Sequence, residues 1–286
     1  MLGQRVITAV ILLAILLGAL LFTSQPFVLV GLLVIVAACA LWEWLRLTWP
    51  TRPSHAPMVC ALVFALALCL IALSWHGADP QEWGTQLRRL ARHWLFPLVV
   101  VLWVVGGLGM VVRGQVSERS GAVCLSVFGV LAVLAAWLAL VELFLRRGPW
   151  FLVSLLALVW VADIAAYFSG KAFGRHKLAP AVSPGKTWEG AGGGVVAAAA
   201  WVAISSFWPG SLGEALVRHW SWGGALIIAV GLAALSIVGD LFESLLKRRA
   251  GVKDSSGLLP GHGGVYDRID ALLPVAPLAL LLVGMR

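Results

Sequence analysis

Apolar stretches recur from one end of this chain to the other, and most, at roughly 17 to 24 residues, are long enough to cross a hydrocarbon core of about 30 Å. They run Val6 to Phe22, Phe27 to Trp44, Met58 to Trp75, Leu95 to Val112, Ala122 to Leu145, Trp150 to Phe168, Gly190 to Trp208, Gly223 to Val238 and Ala271 to Met285. A water-soluble fold of 286 residues has no use for 61% hydrophobic content and a mean hydropathy of +0.96. The expected fold is therefore all-α: a polytopic integral membrane protein with eight or nine transmembrane helices. The last stretch is short and holds Pro274 and Pro277, which predicts a kinked or partial span. The first two, joined by a very short turn, read as a membrane hairpin rather than a cleaved leader. With no internal repeat and no low-complexity linker, residues 1–286 are read as a single membrane domain. Within it, 1–150 supply the N-terminal spans and 151–286 the C-terminal catalytic part.

Net charge is +8, which in a soluble protein would suggest nucleic acid; here no soluble basic domain exists to grip it, and anionic membrane lipid is the expected partner. With nine spans and the N-terminus inside, 14 Lys and Arg residues fall on the cytoplasmic side. Seven fall outside: Arg88, Arg89, Arg92, Arg146, Arg147, Arg218 and Arg286. Trp83, Leu87, Leu90 and Trp94 recur at helical spacing and predict an interfacial helix, with Leu212 to Trp220 as a shorter candidate. Cys39, Cys60, Cys69 and Cys124 sit in apolar runs without CxxC spacing and read as small buried apolar residues. Glu43 and Glu142 lie near span ends, where snorkelling and a structural role are expected.

Two polar blocks stand out after Trp150. In the first, Asp163 and Tyr167 share a helical face ahead of a loop with Gly170, Lys171, Gly174, Arg175, Lys177, Ser183, Gly185, Lys186 and Thr187. Glycines let backbone N–H groups approach an anion while the basic residues supply charge, and Glu189 falls in the first turn of the following helix. Without Walker-type spacing, a phosphate site and an ordinary positive-inside loop remain equally open on this block alone. In the second, Asp240, Ser244, Lys247 and Arg248 share a face, and Glu243 can pair with Lys247. Lys253 and Asp254, a glycine-flanked His262, then Asp267, Arg268 and Asp270 follow. Asp240 and Asp267 offer hard oxygen ligands at helix mouths, which suits Mg²⁺ shared with substrate phosphates. The bland alternative, a salt-bridge network anchoring helix ends, does not require His262 or three aspartates so close to hydrocarbon.

The run Ser244-Leu-Leu-Lys247-Arg248, four residues, then Lys253-Asp254-Ser-Ser-Gly-Leu-Leu-Pro260-Gly-His262-Gly-Gly264-Val-Tyr-Asp267-Arg268-Ile-Asp270 resembles the signature of the phosphatidate cytidylyltransferases, also called CDP-diacylglycerol synthases. The earlier block is similar too, with Val182 where isoleucine is commoner. The resemblance implies transfer of CMP from CTP to phosphatidate at the cytoplasmic face of a bacterial-type inner membrane. It also implies Mg²⁺ on aspartates matching Asp240 and Asp267, K⁺ as a second cation, and a homodimer. On this reading Asp240, Lys247, Arg248, Lys253, Asp254, His262, Asp267, Arg268 and Asp270 are catalytic. Asp163, Tyr167, Lys171, Arg175, Ser183, Lys186, Thr187, Glu189 and Ser244 grip the nucleotide. The rivals are a CTP-dependent polyprenol or lipid kinase, which must activate a hydroxyl, and a cation-coupled transporter, which should carry mid-span polar residues in several helices and paired repeats.

Overall fold

In a computed structural model the described residues are 2–21, 26–49, 55–75, 82–116 and 121–283, with the side chains of 2–6, 9 and 21 left aside. Phe22, Arg52, Arg119, Met285 and Arg286 lie outside them, as does the Arg5 side chain, so the orientation count rests on the sequence. The helices are α1 (Leu2–Leu21), α2 (Pro26–Thr48), α3 (Ala56–Ser74), α4 (Glu82–Val112), α5 (Ala122–Arg147) and α6 (Pro149–Phe173). A hairpin of β1 (Lys177–Ala179) and β2 (Ser183–Thr187) follows, then α7 (Trp188–Ser205), α8 (Leu212–Ala250), α9 (Tyr266–Ile269) and α10 (Leu272–Val283).

Six of these, α2 to α6 and α8, are long and apolar enough to cross a membrane, which defines an integral membrane protein. Their outer faces carry exposed Ile35, Leu62, Val63, Leu66 and Leu73, an arrangement that water would penalise and lipid does not. The expected spans at 190–208 and 271–285 form α7 and α10, the one less apolar and the other, at 12 residues, shorter than that; the one at 6–22 forms α1, whose described side chains give an apolar run over Val10–Leu20. In α7 the reason is glycine. A Cβ on Gly194 would sit 2.9 Å from Ala162 O and one on Gly190 2.8 Å from Ala166 O, so small residues let α7 lie directly on α6 at the expense of hydropathy.

The segment from Trp83 is no separate interfacial helix. It runs unbroken into the span as the start of α4, widened to a π-turn at Ala91–Leu95 where Phe96 N–H bonds Ala91 O. Pro97, one residue on, has no N–H to donate, and the wider turn accommodates its ring. Leu212 to Trp220 is helical but ends in a break at Ser221 (φ 55°, ψ 177°) within α8. The cysteines are free; Cys60, Cys69 and Cys124 are exposed on the bundle surface rather than buried, because lipid is as apolar as a core. Glu142 does not snorkel: it is buried and paired with Arg92 and Arg146.

An aromatic cluster joins the elements beneath the second polar block. Trp44 of α2 lies 5.1 Å from Tyr266 and 5.5 Å from Phe242, and Trp103 of α4 lies 5.2 Å from Phe242 and 4.9 Å from Phe128 of α5. The Trp44 indole N–H donates to Leu125 O at 2.9 Å, so this burial leaves its polar edge satisfied.

Candidate active site

The loop after α6 folds as a hairpin because Val182 N–H closes a turn on Ala179 O and Trp188 N–H pairs with His176 O. Thr187 caps α7, accepting from Gly190 N–H at 3.1 Å. Glu189 turns back and accepts from Arg175 N–H, His176 N–H and the His176 ring. These bonds, the His176 ring first, hold its carboxyl down to about 2. β2 thereby aims Lys186 at α8, where its ammonium donates to Asp240 at 2.5 Å. The two polar blocks meet in one cleft.

Lys247, about two turns further along α8, donates to Glu243 at 2.7 Å and Asp267 at 2.7 Å. The second oxygen of Asp267 accepts from Gly264 N–H (2.7 Å), Ser255 N–H (3.0 Å) and the Ser255 hydroxyl (2.9 Å). Burial opposes ionisation of Asp267, yet its bonds with Glu243, Lys247 and Gly264 outweigh it and hold the carboxyl below the usual range. At Asp270 burial wins: together with the nearby Asp240 charge it pushes that carboxyl well above the usual range.

Ligand oxygens of Asp240, Glu243 and Asp270 all lie within 4.8 Å of one another. One oxygen of Glu243 is buried with no hydrogen-bond partner among the described residues. Three carboxyls so placed repel unless a proton or cation lies among them, and an all-oxygen donor set fits Mg²⁺ or K⁺. The expected ligand Asp240 belongs to this cluster; Asp267 stands beside it, already engaged by Lys247.

A cavity of about 1160 Å³ opens from this cleft. Its polar end holds Asp163, Tyr167, Lys171, Ser183, Lys186, Thr187, Asp240, Glu243, Lys247, Asp254, His262, Asp267, Arg268 and Asp270. The rest of its wall is apolar, with Leu12 and Leu16 from α1, Leu32, Leu33 and Val36 from α2, and Trp137 from α5. Helix α1 reaches over the polar end, where the Thr8 hydroxyl donates to Pro260 O at 2.9 Å. Arg175, Glu189, Ser244, Arg248 and Lys253 do not line the cavity; Arg248 instead ties α8 to the hairpin through Val182 O.

Two residues stand outside the sequence-based expectation. The sequence marks Glu243 only as a partner of Lys247, although its position one turn from Asp240 puts it at the same helix mouth. Glu43, expected to snorkel, is fully buried and bonded to the signature segment. Its one warning was a lone carboxyl between Trp42 and Trp44 in an otherwise uncharged span.

A helical membrane bundle with acidic and basic groups converging at the mouth of an apolar cavity defines a membrane enzyme-type site for an amphiphilic, phosphate-bearing ligand. Comparison with known proteins agrees. Residues 3–285 match the model of the cytidylyltransferase family, and the chain belongs to that family. It is 40% identical over 280 residues to the phosphatidate cytidylyltransferase of Pseudomonas aeruginosa, covering 97% of this chain and 95% of that one. It is 35% identical to the enzyme of that name in Haemophilus influenzae (97% and 96% covered) and 31% identical to that of Staphylococcus epidermidis (98% of each).

Proposed function

We propose that this protein transfers CMP from CTP to phosphatidate, giving CDP-diacylglycerol and pyrophosphate. The observation that carries the reading is the cavity: charged side chains at one end and an apolar wall continuous with it, the two halves of a phospholipid monoester. A phosphatidate oxygen forms a bond to the α-phosphorus of CTP while the bond to the bridging oxygen breaks and pyrophosphate leaves. A phosphate monoester, with a second pKa of about 6, is largely dianionic at neutral pH, so no protein base is needed. Lys186 and Lys247 are the cations nearest the carboxyl cluster and turn from it to the substrate phosphates, while Lys171 and Arg268 meet the outer ones. The leucines of α1 and α2 receive the acyl chains.

Asp240 holds Mg²⁺ in this proposal, with Asp267 as the partner implied by the family signature and Glu243 and Asp270 completing the acidic cluster. K⁺ is the second cation. When bound, the metal neutralises phosphate oxygens and lets two polyanions approach. Glu189 and Arg175 act from outside the cavity by fixing the hairpin that presents Lys186 and Ser183. We further propose eight or nine spans, counting α1, α7 and α10, in one membrane domain. It forms a homodimer in the bacterial inner membrane, its site facing the cytoplasm.

The test is purified protein in detergent with phosphatidate, Mg²⁺ and CTP labelled at either the α or the γ phosphorus. Label from the α position entering lipid, abolished by EDTA, is the expected result. Label from the γ position would make it a kinase, and no label in lipid would overturn the reading.

A further inference from the structure

Glu43 of α2 is fully buried, yet its carboxyl accepts four hydrogen bonds from one segment more than 200 residues away. The donors are the Ser255 hydroxyl (2.9 Å), the Ser256 hydroxyl (2.5 Å), Val265 N–H (3.0 Å) and Tyr266 N–H (2.6 Å). Among the described residues it makes no ion pair, so these donors alone compensate an acidic group removed from water. An apolar residue in its place would leave the Val265 and Tyr266 amides and both hydroxyls without this acceptor.

The other end of the arrangement is the reactive cleft. The Ser255 hydroxyl has one hydrogen and shares it between Glu43 and Asp267, at 2.9 Å in each case. Gly264 lies flush against the same carboxyl: a Cβ there would fall 2.1 Å from the Ser255 oxygen and 2.5 Å from both oxygens of Glu43. Between the two anchored ends, Ser255–Ser256 and Val265–Tyr266, the chain carries His262, and Asp254 and Asp267 flank it. We propose that Glu43 is a positioning residue: a buried clamp that pins both ends of this loop to the membrane bundle and fixes Asp267 through Ser255.

The inference rests on reading the Asp240 to Asp270 segment as the site of cytidylyl transfer, and the experiment separates the two. Full-length wild type and Glu43→Gln, Glu43→Asp and Ser255→Ala/Ser256→Ala variants are purified in detergent. Each is assayed for kcat and KM with CTP and phosphatidate, for thermal midpoint, and for hydrogen exchange at Val265 and Tyr266. Gln turns one acceptor into a donor against the loop, and Asp withdraws the carboxyl by about 1.5 Å. The expected result is faster exchange at the two amides and a kcat lower by about 100-fold, the scale of a misplacement near 1 Å, with KM little changed. Should Glu43→Gln not fold, Glu43→Asp and the serine pair carry the same comparison. Wild-type exchange at both amides in the variants, or a fallen midpoint with wild-type kcat per folded molecule, overturns the clamp. If wild type itself makes no CDP-lipid, the proposed reaction fails while exchange still decides the role of Glu43.

Discussion

Replacing Lys247 by methionine tests whether the ammonium between Glu243 and Asp267 holds the cleft together. The Lys247 side chain is 16% exposed, Glu243 2% and Asp267 5%, so both carboxyls lose a cation that water from the adjoining cavity replaces only in part. Breaking a buried pair from one side costs about 3–5 kcal/mol, because the partner charge is left uncompensated. Methionine keeps the stem's apolar packing, so the loss is electrostatic rather than a cavity. At about 2–3 °C per kcal/mol, the thermal midpoint in detergent should fall by about 6–15 °C. Adding Asp267→Asn to Lys247→Met should recover part of that loss by removing one orphaned carboxyl. The assay is a fluorescence melt of the purified protein at neutral pH, with the single and double variants side by side. A Lys247→Met midpoint within about 2 °C of wild type would refute the reasoning.

Gly264→Ala drives a Cβ into Ser255 and Glu43, groups held by their own hydrogen bonds; a cost of about 1–3 kcal/mol in the melt and loss of turnover are expected. The Glu189 carboxyl is held at about 2, below the ~4.3 of an unfolded glutamate. Its contribution to hairpin stability is therefore complete above about pH 5 and lost as pH falls through 4 toward 2. The midpoint difference between wild type and Glu189→Gln should shrink over that window, and a difference constant with pH would contradict it. Ser221→Gly relieves a backbone region that only glycine occupies readily and should stabilise by about 1–3 kcal/mol, read as a raised midpoint.

The helices were legible because hydropathy is additive along the chain, and the polar blocks because a charge beside a long apolar run is rare. What stayed hidden depends on tertiary neighbours. Glu43 resembles Glu142 in sequence, each a lone acid near a span end, yet one accepts bonds from a distant loop and the other pairs with arginines. Only the fold separates them. The β1–β2 hairpin was equally unreadable: in Ser-Pro-Gly-Lys-Thr only Thr187 favours a strand, and the extension comes from backbone bonds and from the grip of Glu189 on the preceding turn. Apolar residues of α1 and α2 carried no sign that they would line a cavity, since a wall and a lipid-facing surface share one composition.

The chain as a whole carries a formal +8, but the cavity does not. Among the described residues lining it, Asp163, Asp240, Glu243, Asp254, Asp267 and Asp270 face Lys171, Lys186, Lys247 and Arg268, six acids against four bases and a formal −2. Two of the four bases are already bound to those acids. Burial keeps the proton on Asp270 and brings the sum nearer zero, so the cavity offers a nucleoside triphosphate and a lipid phosphate no net attraction, and the proposed cations supply the positive charge that its side chains do not. Asp240→Asn separates attraction from catalysis. It removes one negative charge and frees Lys186, so metal-free CTP in EDTA should bind about tenfold more tightly, the scale of one charge acting across a partly wet cleft. Turnover with Mg²⁺ should nevertheless be lost. Metal-free binding no tighter than wild type would show that the Asp240 carboxylate does not govern access to the site.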